Sequence, residues 1–313
     1  MEARPSDGTQ IRSRPMTDKL VSADEAVALV HDGDLVAVGG SLFSRTPMAL
    51  IFALLRSGRR GLTLTRSLTC YEAELLMVNG GVDGLVTSWV GLGLQWGVSP
   101  VVRAFVEQGR AFHEEWSHLA LGLRFKAGAM GVPFLPTATM MGSDLEERSK
   151  AARVTCPYTG QELLAVPALE PAVAFLHVHR ADKFGNVQVD GYRHMDVDIA
   201  RASKRVVVTA EQIVDTAELV RNASDTMLPH FTIDAVVHQP FGAYPGECYG
   251  LYEADMAHLD TYVQGLRDRG PEAGVEHYLN ENVIGRATFD EFLQHVGSDR
   301  LAELQQQAVE MIS

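Results

Sequence analysis

The glycine-rich turn at residues 39–41 is the first place where this sequence could do chemistry. Gly39-Gly40-Ser41 follows the short apolar run 35–38 and precedes Thr46-Pro47. Glycine lets a ligand approach the backbone closely, and a helix beginning near Thr46-Pro47 would present N–H groups to an anion such as a carboxylate, a thioester oxygen or a phosphate. A tight turn between a strand and a helix would need the same residues, so both interpretations stay open.

Three glutamates are candidates for a reacting or substrate-binding carboxylate. Glu114 and Glu115 precede a predicted long helix over 116–130, where acidic side chains also complement the helix dipole, and we favour that simpler explanation. Glu211 follows the apolar run 206–210. Because open α/β sheets place ligands at the carboxyl ends of their parallel strands, Glu211 could contact a ligand, or it could cap the helix that follows.

An arginine and a serine lie near the same predicted sheet edge. Arg45 stands just before the helix that begins near Thr46-Pro47, where it could grip a substrate carboxylate through two hydrogen bonds or fix the loop. Ser67 follows a predicted strand over 62–65, at the edge where binding sites gather. A structural role explains each residue equally well.

Metal binding is not indicated. His177 and His179 are two residues apart on a predicted strand and could join Asp182 around an ion, but buried, hydrogen-bonded histidines explain this spacing better. Cys248 has no obvious base or positive field beside it, so we interpret it as a packing thiol. The three cysteines have no CxxC spacing: Cys70, Cys156 and Cys248.

The composition excludes several classes of protein. The 313 residues are 46% hydrophobic and 21% charged, which is typical of a folded globular chain rather than a disordered one. The 27 lysines and arginines against 40 aspartates and glutamates give a net charge of −13, which disfavours binding to nucleic acid or to an anionic membrane surface. The unpaired cysteine pattern and the lack of a long apolar run favour a cytoplasmic protein without a membrane span.

The first residues differ from the rest in composition. Residues 1–18 mix Arg, Pro, Ser, Gly and Asp without an apolar region, so we expect a flexible tail and no secretory signal. Met16 directly precedes the first segment with a structural pattern, which favours an upstream start codon as the origin of residues 1–15.

Apolar runs of strand length alternate with helical patterns along most of the chain. Strands are predicted over 35–38, 62–65, 85–90, 172–178, 205–209 and 234–238. This alternation predicts an α/β fold with an open, mostly parallel sheet sandwiched by helices. We predict an α/β domain over 19–258 and a peripheral helical segment of the same domain over 259–313.

Several segments together resemble a known family. Residues 32–40 followed by 45–50 resemble the opening of the alpha subunit of family I coenzyme A transferases, and 124–136 looks like the central helix and exit loop of that family. Residues 196–211 look like its second-half strand and acidic turn, and 240–252 is similar to a segment of the alpha-type (A) chain of glutaconate CoA-transferase. The resemblance implies an open α/β/α sandwich of the NagB/RpiA-like type.

The resemblance also implies a divided active site. In such pairs the glutamate that attacks the acyl-CoA thioester lies in the beta-type chain, so this chain would supply the second wall. We expect backbone donors from Gly39 and Gly40, and polar contacts from Ser41, Arg45, Ser67 or Glu211 to the substrate. The expected assembly is α2β2 or larger, acting on acyl-CoA and carboxylic acids with no permanently bound cofactor.

A related branch of alpha–beta pairs gives the alternative function. Those pairs resemble the steroid-ring-opening enzymes of cholesterol breakdown, which hydrolyse a cyclic β-diketone CoA ester. They use a carboxylate near the central helix of the alpha chain, which would be Glu115 or Glu114 here. We favour the transferase because Ser117-His118 is unlike the acidic stretch expected in that branch and 244–252 is glutaconate-like.

Overall fold

In the computed structural model, which describes residues 16–312, nine strands form one mostly parallel sheet. The strands of the described chain are β1 (Leu35–Val38), β2 (Leu62–Thr69), β3 (Val82–Val90), β4 (Phe112–Glu115), β5 (Phe134–Thr137), β6 (Ala152–Thr155), β7 (Glu162–Pro167), β8 (Val173–Ala181), β9 (Val187–Gln188), β10 (Arg205–Ile213), β11 (Thr226–Leu228) and β12 (Ala235–His238). The parallel strands follow the order β12-β10-β8-β1-β2-β3-β4, and antiparallel β9 and β11 extend the sheet beside β8. The predicted fold class is confirmed.

Helices cover both faces of this sheet. The helices of the described chain are α1 (Ala23–Val27), α2 (Met48–Ser57), α3 (Tyr71–Val78), α4 (Pro100–Glu107), α5 (His118–Met130), α6 (Asp144–Arg148), α7 (Asp196–Ala202), α8 (Thr216–Arg221), α9 (Met256–Arg269), α10 (Pro271–Leu279), α11 (Phe289–Val296) and α12 (Ser298–Ile312). A π-helical turn, Asn280–Ile284, follows α10. Among the described residues, no helix has the length and apolar character needed to cross a bilayer.

The alternation of side chains along each strand divides the apolar residues between two cores. In β1, Val36 and Val38 enter the core beneath α2, α3 and α4, whereas Ala37 enters the core beneath α5 and α7. All three residues are fully buried. A parallel strand covered on both faces must be apolar throughout, which explains the continuous apolar runs in the sequence.

Helix α5 begins two residues later than the sequence pattern predicts. Residues 112–115 form strand β4 beside β3, and Ser117 caps the helix by accepting a hydrogen bond from the Ala120 N–H. The helix ends at Gly131, whose φ of 68° is the left-handed conformation that favours glycine. Residues 134–136, which the family resemblance places in an exit loop, belong to strand β5, and the segment from 134 to 167 forms a separate antiparallel sheet in the order β5-β7-β6.

The C-terminal helices share the first core rather than forming their own. Leu259, Val275, Phe292 and Leu304 are buried in the cluster that α2 and α3 also line. The helical pattern predicted for this segment is observed, but the predicted divisions at residues 18 and 258 stay predictions. The first fifteen residues of the predicted tail lie outside the described residues.

A buried glutamate links α3 to the C-terminal helices. Glu74 is fully buried and accepts hydrogen bonds from Ser99, the residue before α4, and from the Tyr262 hydroxyl of α9. Burial raises the pKa of Glu74 to about 7, against the lowering effect of these two donors. The carboxyl group therefore changes charge near neutral pH while it holds three elements together.

We predict that Glu74 makes the chain less stable as pH rises. The unfolded chain releases the Glu74 proton near its ordinary pKa of 4.5, whereas the folded chain holds that proton until about pH 7. Between these two pH values the folded state binds more protons than the unfolded state, so the free energy of unfolding falls as pH rises. Relative to Glu74→Gln, the parent should lose up to about 3 kcal/mol of unfolding free energy between pH 5 and pH 8. Urea denaturation of both chains across this range measures the difference. Glu276→Gln, at an exposed position on α10, should track the parent at every pH, and a pH-independent difference for Glu74→Gln would refute the prediction.

Candidate functional site

The carboxyl ends of the parallel strands gather the predicted site residues at one edge of the sheet. Gly39-Gly40-Ser41 follows β1, Glu115 ends β4, and Glu211 lies near the end of β10. Ser67 lies inside β2, which runs to Thr69, rather than after it. This edge is where open α/β folds bind ligands.

The backbone N–H groups of the glycine turn are hydrogen-bonded to acceptors within the chain. The N–H groups of Gly39, Gly40 and Ser41 donate to the Phe175 carbonyl, an Asp196 carboxylate oxygen and the Ser44 carbonyl at 2.8–2.9 Å. Gly40 has a φ of 67°, and a Cβ there would lie 2.2 Å from the Ser44 oxygen. These two glycines thus serve a tight turn, and their N–H groups already have acceptors.

A buried ion pair fixes this turn. Arg45 Nη1 donates to Asp196 Oδ2 at 2.7 Å and to the His177 carbonyl at 2.8 Å, and Nη2 donates to the Tyr192 carbonyl at 2.8 Å. Both charged side chains are buried, at 1% and 0% exposure. The other oxygen of Asp196 accepts from Gly40. The geometry favours the loop-fixing role of Arg45 over a direct grip on substrate.

The loop over 240–252 covers the start of α2. The Ala49 N–H donates to the Gly242 carbonyl at 3.0 Å, and the Arg45 N–H donates to the Glu247 carbonyl at 2.9 Å. The Glu247 N–H donates to the Phe43 carbonyl at 2.8 Å. The Ala49 N–H is therefore not open to an anion, in contrast to the expectation from the Thr46-Pro47 pattern.

Glu211 anchors that same loop. Its carboxylate accepts from the Tyr252 hydroxyl at 2.6 Å and from the N–H groups of Phe241 and Gly242 at 2.8 and 3.2 Å, and it lies 2.7 Å from His177 Nε2. Burial alone would raise the pKa of Glu211, but the hydrogen bonds from His177, Tyr252 and the backbone outweigh it and hold the pKa below its usual range. The carboxylate is thus ionised and saturated with partners.

The two histidines of β8 are buried and hydrogen-bonded, in agreement with their structural interpretation. His177 Nδ1 lies 2.8 Å from Thr209 Oγ1, and His179 Nε2 lies 2.9 Å from the Tyr249 carbonyl. Ligand atoms of His177, Glu211 and Cys248 approach within 4.8 Å of one another, a spacing that a metal ion could use. Burial raises the pKa of the Cys248 thiol, and the Glu211 oxygens already have donors, so hydrogen bonding accounts for this cluster.

Glu114 and Glu115 lie on opposite faces of β4. Glu114 turns towards α5, where it accepts from Trp116 Nε1 at 2.8 Å and from Arg124 Nη1 at 2.5 Å and also pairs with Lys150. Burial tends to raise the pKa of Glu114, but these three donors lower it overall. Glu115 is exposed, and its carboxylate accepts no hydrogen bond from residues 16–312. Only Glu115 of the pair is available for chemistry.

A cavity of about 380 Å³ opens beside Glu115. Its apolar wall is formed by Trp89 and Val90 at the end of β3 and by valines of the α4 region, Val98, Val102 and Val106. Its polar end carries Ser88, His113 and Glu115. Burial lowers the pKa of His113, so the imidazole is neutral at pH 7. Sequence reasoning missed this cavity, although the spacing of Val102 and Val106 by four residues marks one face of helix α4.

Ser67 lies close to the polar end of this cavity. Its side chain is 3% exposed, and its carbonyl accepts from Thr87 and from Ser88 Oγ at 2.6 Å. Ser88 Oγ in turn lies 3.2 Å from His118 Nδ1. The predicted residues thus form two groups: a closed turn held by Arg45, and the edge beside the cavity, where Glu115 is exposed and Ser67 is buried.

Comparison with known proteins identifies the family. The fold defines an open α/β/α protein whose polar groups collect at the carboxyl edge of its parallel strands. The family model described as "Coenzyme A transferase" matches residues 20–239. The chain belongs to the coenzyme A transferase family, and the resemblance noted from the sequence is confirmed.

Individual relatives fall in more than one branch of this family. The alpha-type (A) chain of glutaconate CoA-transferase from Acidaminococcus fermentans is 32% identical over 91% of this chain and 94% of its own length. The crystal structure of that transferase superposes with a TM-score of 0.88 at 30% identity, covering 92% of this chain and 95% of the other. The cholesterol ring-cleaving hydrolase IpdA subunit from Rhodococcus jostii is 32% identical over 84% of this chain and 98% of its own length. An uncharacterised protein from Archaeoglobus fulgidus is 40% identical over 93% of this chain, which spans 65% of that longer protein.

We predict that Asp196→Asn strongly destabilises the chain. The substitution leaves the Arg45 guanidinium buried without a counter-charge, and breaking a buried pair in this way costs about 3–5 kcal/mol. Asp198→Asn on the same helix removes only a partly exposed pair with Lys126 and should cost less than about 1 kcal/mol. Urea denaturation of the two variants compares them directly, and equal losses would show that the Arg45–Asp196 pair does not hold the turn.

Proposed function

We propose that this chain is the alpha-type subunit of a heteromeric CoA-transferase, which moves CoA between an acyl-CoA thioester and a carboxylate acceptor. The observation that carries the proposal is the superposition on glutaconate CoA-transferase across 92% of this chain and 95% of that one. A match of that extent takes in the sheet and most of the helices that follow it. The substrate edge is then the carboxyl edge of β1 to β4.

The arrangement of carboxylates supports a nucleophile from a second chain. Glu74 is buried against Ser99 and Tyr262, Glu114 is held in ion pairs, and Glu211 is saturated by the 240–252 loop. A carboxylate nucleophile must be free to attack the thioester carbon, and these three are not. We place the reacting glutamate in a beta-type partner, as the family resemblance implies, and Glu115 is the exposed carboxylate of this edge that remains for the alternative function.

The reaction proceeds by exchange at that partner glutamate. Its carboxylate attacks the thioester carbonyl, so that an acyl-glutamyl anhydride forms and CoA thiolate leaves. The thiolate then attacks the glutamyl carbonyl, releasing the first carboxylic acid and leaving a glutamyl–CoA thioester. An acceptor carboxylate reverses the two steps and leaves as the new acyl-CoA. CoA is a substrate in this scheme, and the chain needs no permanently bound cofactor.

This chain contributes the opposite wall of the site. Ser41 is half-buried in the turn and Ser67 is 3% exposed; both remain our candidates for polar contacts to the acyl group. We propose an indirect role in the substrate wall for four other candidates: Gly39, Gly40, Arg45 and Glu211. Their polar atoms are hydrogen-bonded inside the chain, so they shape the wall by holding its backbone in place.

Exposed apolar side chains beside this edge fit a second protein chain. Leu94 is fully exposed after the end of β3, and Leu119 in the first turn of α5 is 58% exposed after the end of β4. Large apolar side chains exposed to water beside a site fit contacts with another protein chain. We propose an α2β2 or larger assembly with a beta-type chain, acting in the cytoplasm.

We predict that the covalent intermediate forms on the partner. The chain co-purified with its beta-type partner should exchange CoA only when a carboxylate acceptor such as acetate is present. Borohydride added with acyl-CoA alone should reduce a glutamyl thioester in the partner, detected by mass spectrometry of tryptic peptides. An adduct on this chain, or CoA release that needs no acceptor, would exclude the mechanism.

The free carboxylate of Glu115 supports a second candidate function, a ring-opening acyl-CoA hydrolase. Glu115 lies at a strand end beside a largely apolar cavity, where a carboxylate can activate water for attack on a diketone. Glu114 cannot take this role because Arg124, Lys150 and Trp116 hold it on the other face.

We predict that Glu115→Gln separates the two functions. A transferase should keep its kcat within about threefold, because the nucleophile lies elsewhere, whereas a hydrolase that uses this base should lose roughly 10²-fold or more. Acyl exchange and water-dependent ring opening are assayed on the same preparation. Glu114→Gln is the control, and we expect it to reduce stability through Arg124 rather than to change the reaction.

A further inference from the structure

The cavity beside Glu115 has a shape and a wall that suit one part of the substrate. It lies between α4 and the carboxyl ends of β3 and β4, and its volume of about 380 Å³ is within the range of small-ligand sites. Val98, Val102 and Val106 line it together with Trp89. The three valines offer an apolar surface with no hydrogen-bonding group.

The position of the cavity connects it to the reacting edge. Ser88 and Glu115, at its polar end, are at the open carboxyl end of the sheet, and Ser88 contacts the backbone of Ser67. A thioester carbonyl held near Ser88 would place the carbon chain of its acyl group towards the valines. The CoA portion would extend away from them.

The charges at the rim select against one class of acyl group. Glu107 and Glu115 are exposed carboxylates on the cavity lining, and the Arg103 guanidinium is the cation among the described residues of that lining. The two carboxylates and the one guanidinium together leave the lining with an excess of negative charge. A second carboxylate at the far end of an acyl chain would enter this negative lining and be repelled.

We infer that this cavity binds the acyl chain of the thioester and that the protein prefers an apolar monocarboxylic acyl group over a dicarboxylic one. The inference rests on the proposed transferase function and adds the substrate class to it. Val98 is a half-exposed apolar residue of the lining, and Glu107 is one of its two exposed carboxylates.

The test measures kcat/KM of the co-purified complex with acetyl-, hexanoyl- and glutaryl-CoA, with acetate or propionate as the acceptor. Wild-type protein should use hexanoyl-CoA at least about tenfold better than glutaryl-CoA. Val98→Trp should lower the hexanoyl-CoA value about tenfold and change the acetyl-CoA value less than about twofold, and Val98→Ala should shift the preference towards a longer acyl chain. Val220→Trp, at an exposed valine on α8, is the matched control and should behave as wild type.

A charge reversal tests the second part of the inference. Glu107→Arg should raise kcat/KM for glutaryl-CoA relative to hexanoyl-CoA by about tenfold, because the rim then offers a counter-charge. Glu218→Arg on α8 makes the same charge change away from the cavity and should leave the ratio unchanged. The inference is overturned if wild type prefers glutaryl-CoA, or if both Val98 variants alter all three substrates equally. Failure of wild type to transfer CoA from any thioester would instead count against the proposed function.

Discussion

The buried ion pair between Arg45 and Asp196 is the interaction on which the site depends. It joins the turn after β1 to the first turn of α7, 151 residues further along the chain. Two fully buried charges are tolerated only when their hydrogen bonds are satisfied, and here Asp196 also takes the Gly40 N–H while Arg45 also holds two carbonyls. The pair therefore fixes the backbone on both sides of β1's open end. Loss of either partner would leave a charge that neither water nor protein can stabilise.

The loop over 240–252 extends this constraint to the rest of the edge. Carbonyls of this loop accept hydrogen bonds from the N–H groups of Ala49 and Arg45. The Glu211 carboxylate on β10 accepts hydrogen bonds from two N–H groups of the loop. The polar groups nearest β1 thus hold the loops in place through hydrogen bonds within the chain. The groups that remain open to a ligand lie on the neighbouring strands, at Ser88, Glu115 and the cavity beside them.

That division of labour suits an active site shared between two chains. In the pair we propose, this chain is a rigid wall that presents substrate to a nucleophile of the partner, and the partner covers the exposed apolar side chains beside β3 and β4. Relatives that use the same fold as transferases and as a ring-cleaving hydrolase fit this picture, because the reacting group can change while the wall persists. In this chain the cavity lining would then decide which acyl group is accepted.

The sequence by itself determined the parallel sheet, the turn at Gly39-Gly40, the family and the helical C-terminal segment. These depend on local periodicity and on short motifs, which are set by residues close together in the chain. Only the tertiary structure decided that Arg45 pairs with Asp196, that Glu211 holds a loop, and that Glu115 rather than Glu114 is free. The alternation of a strand places the two glutamates on opposite faces, but which face is covered by Arg124 and Lys150 depends on packing between distant segments. The antiparallel sheet over 134–167 was missed for the same reason, since its strands are short and partly exposed and are defined by pairing rather than by burial.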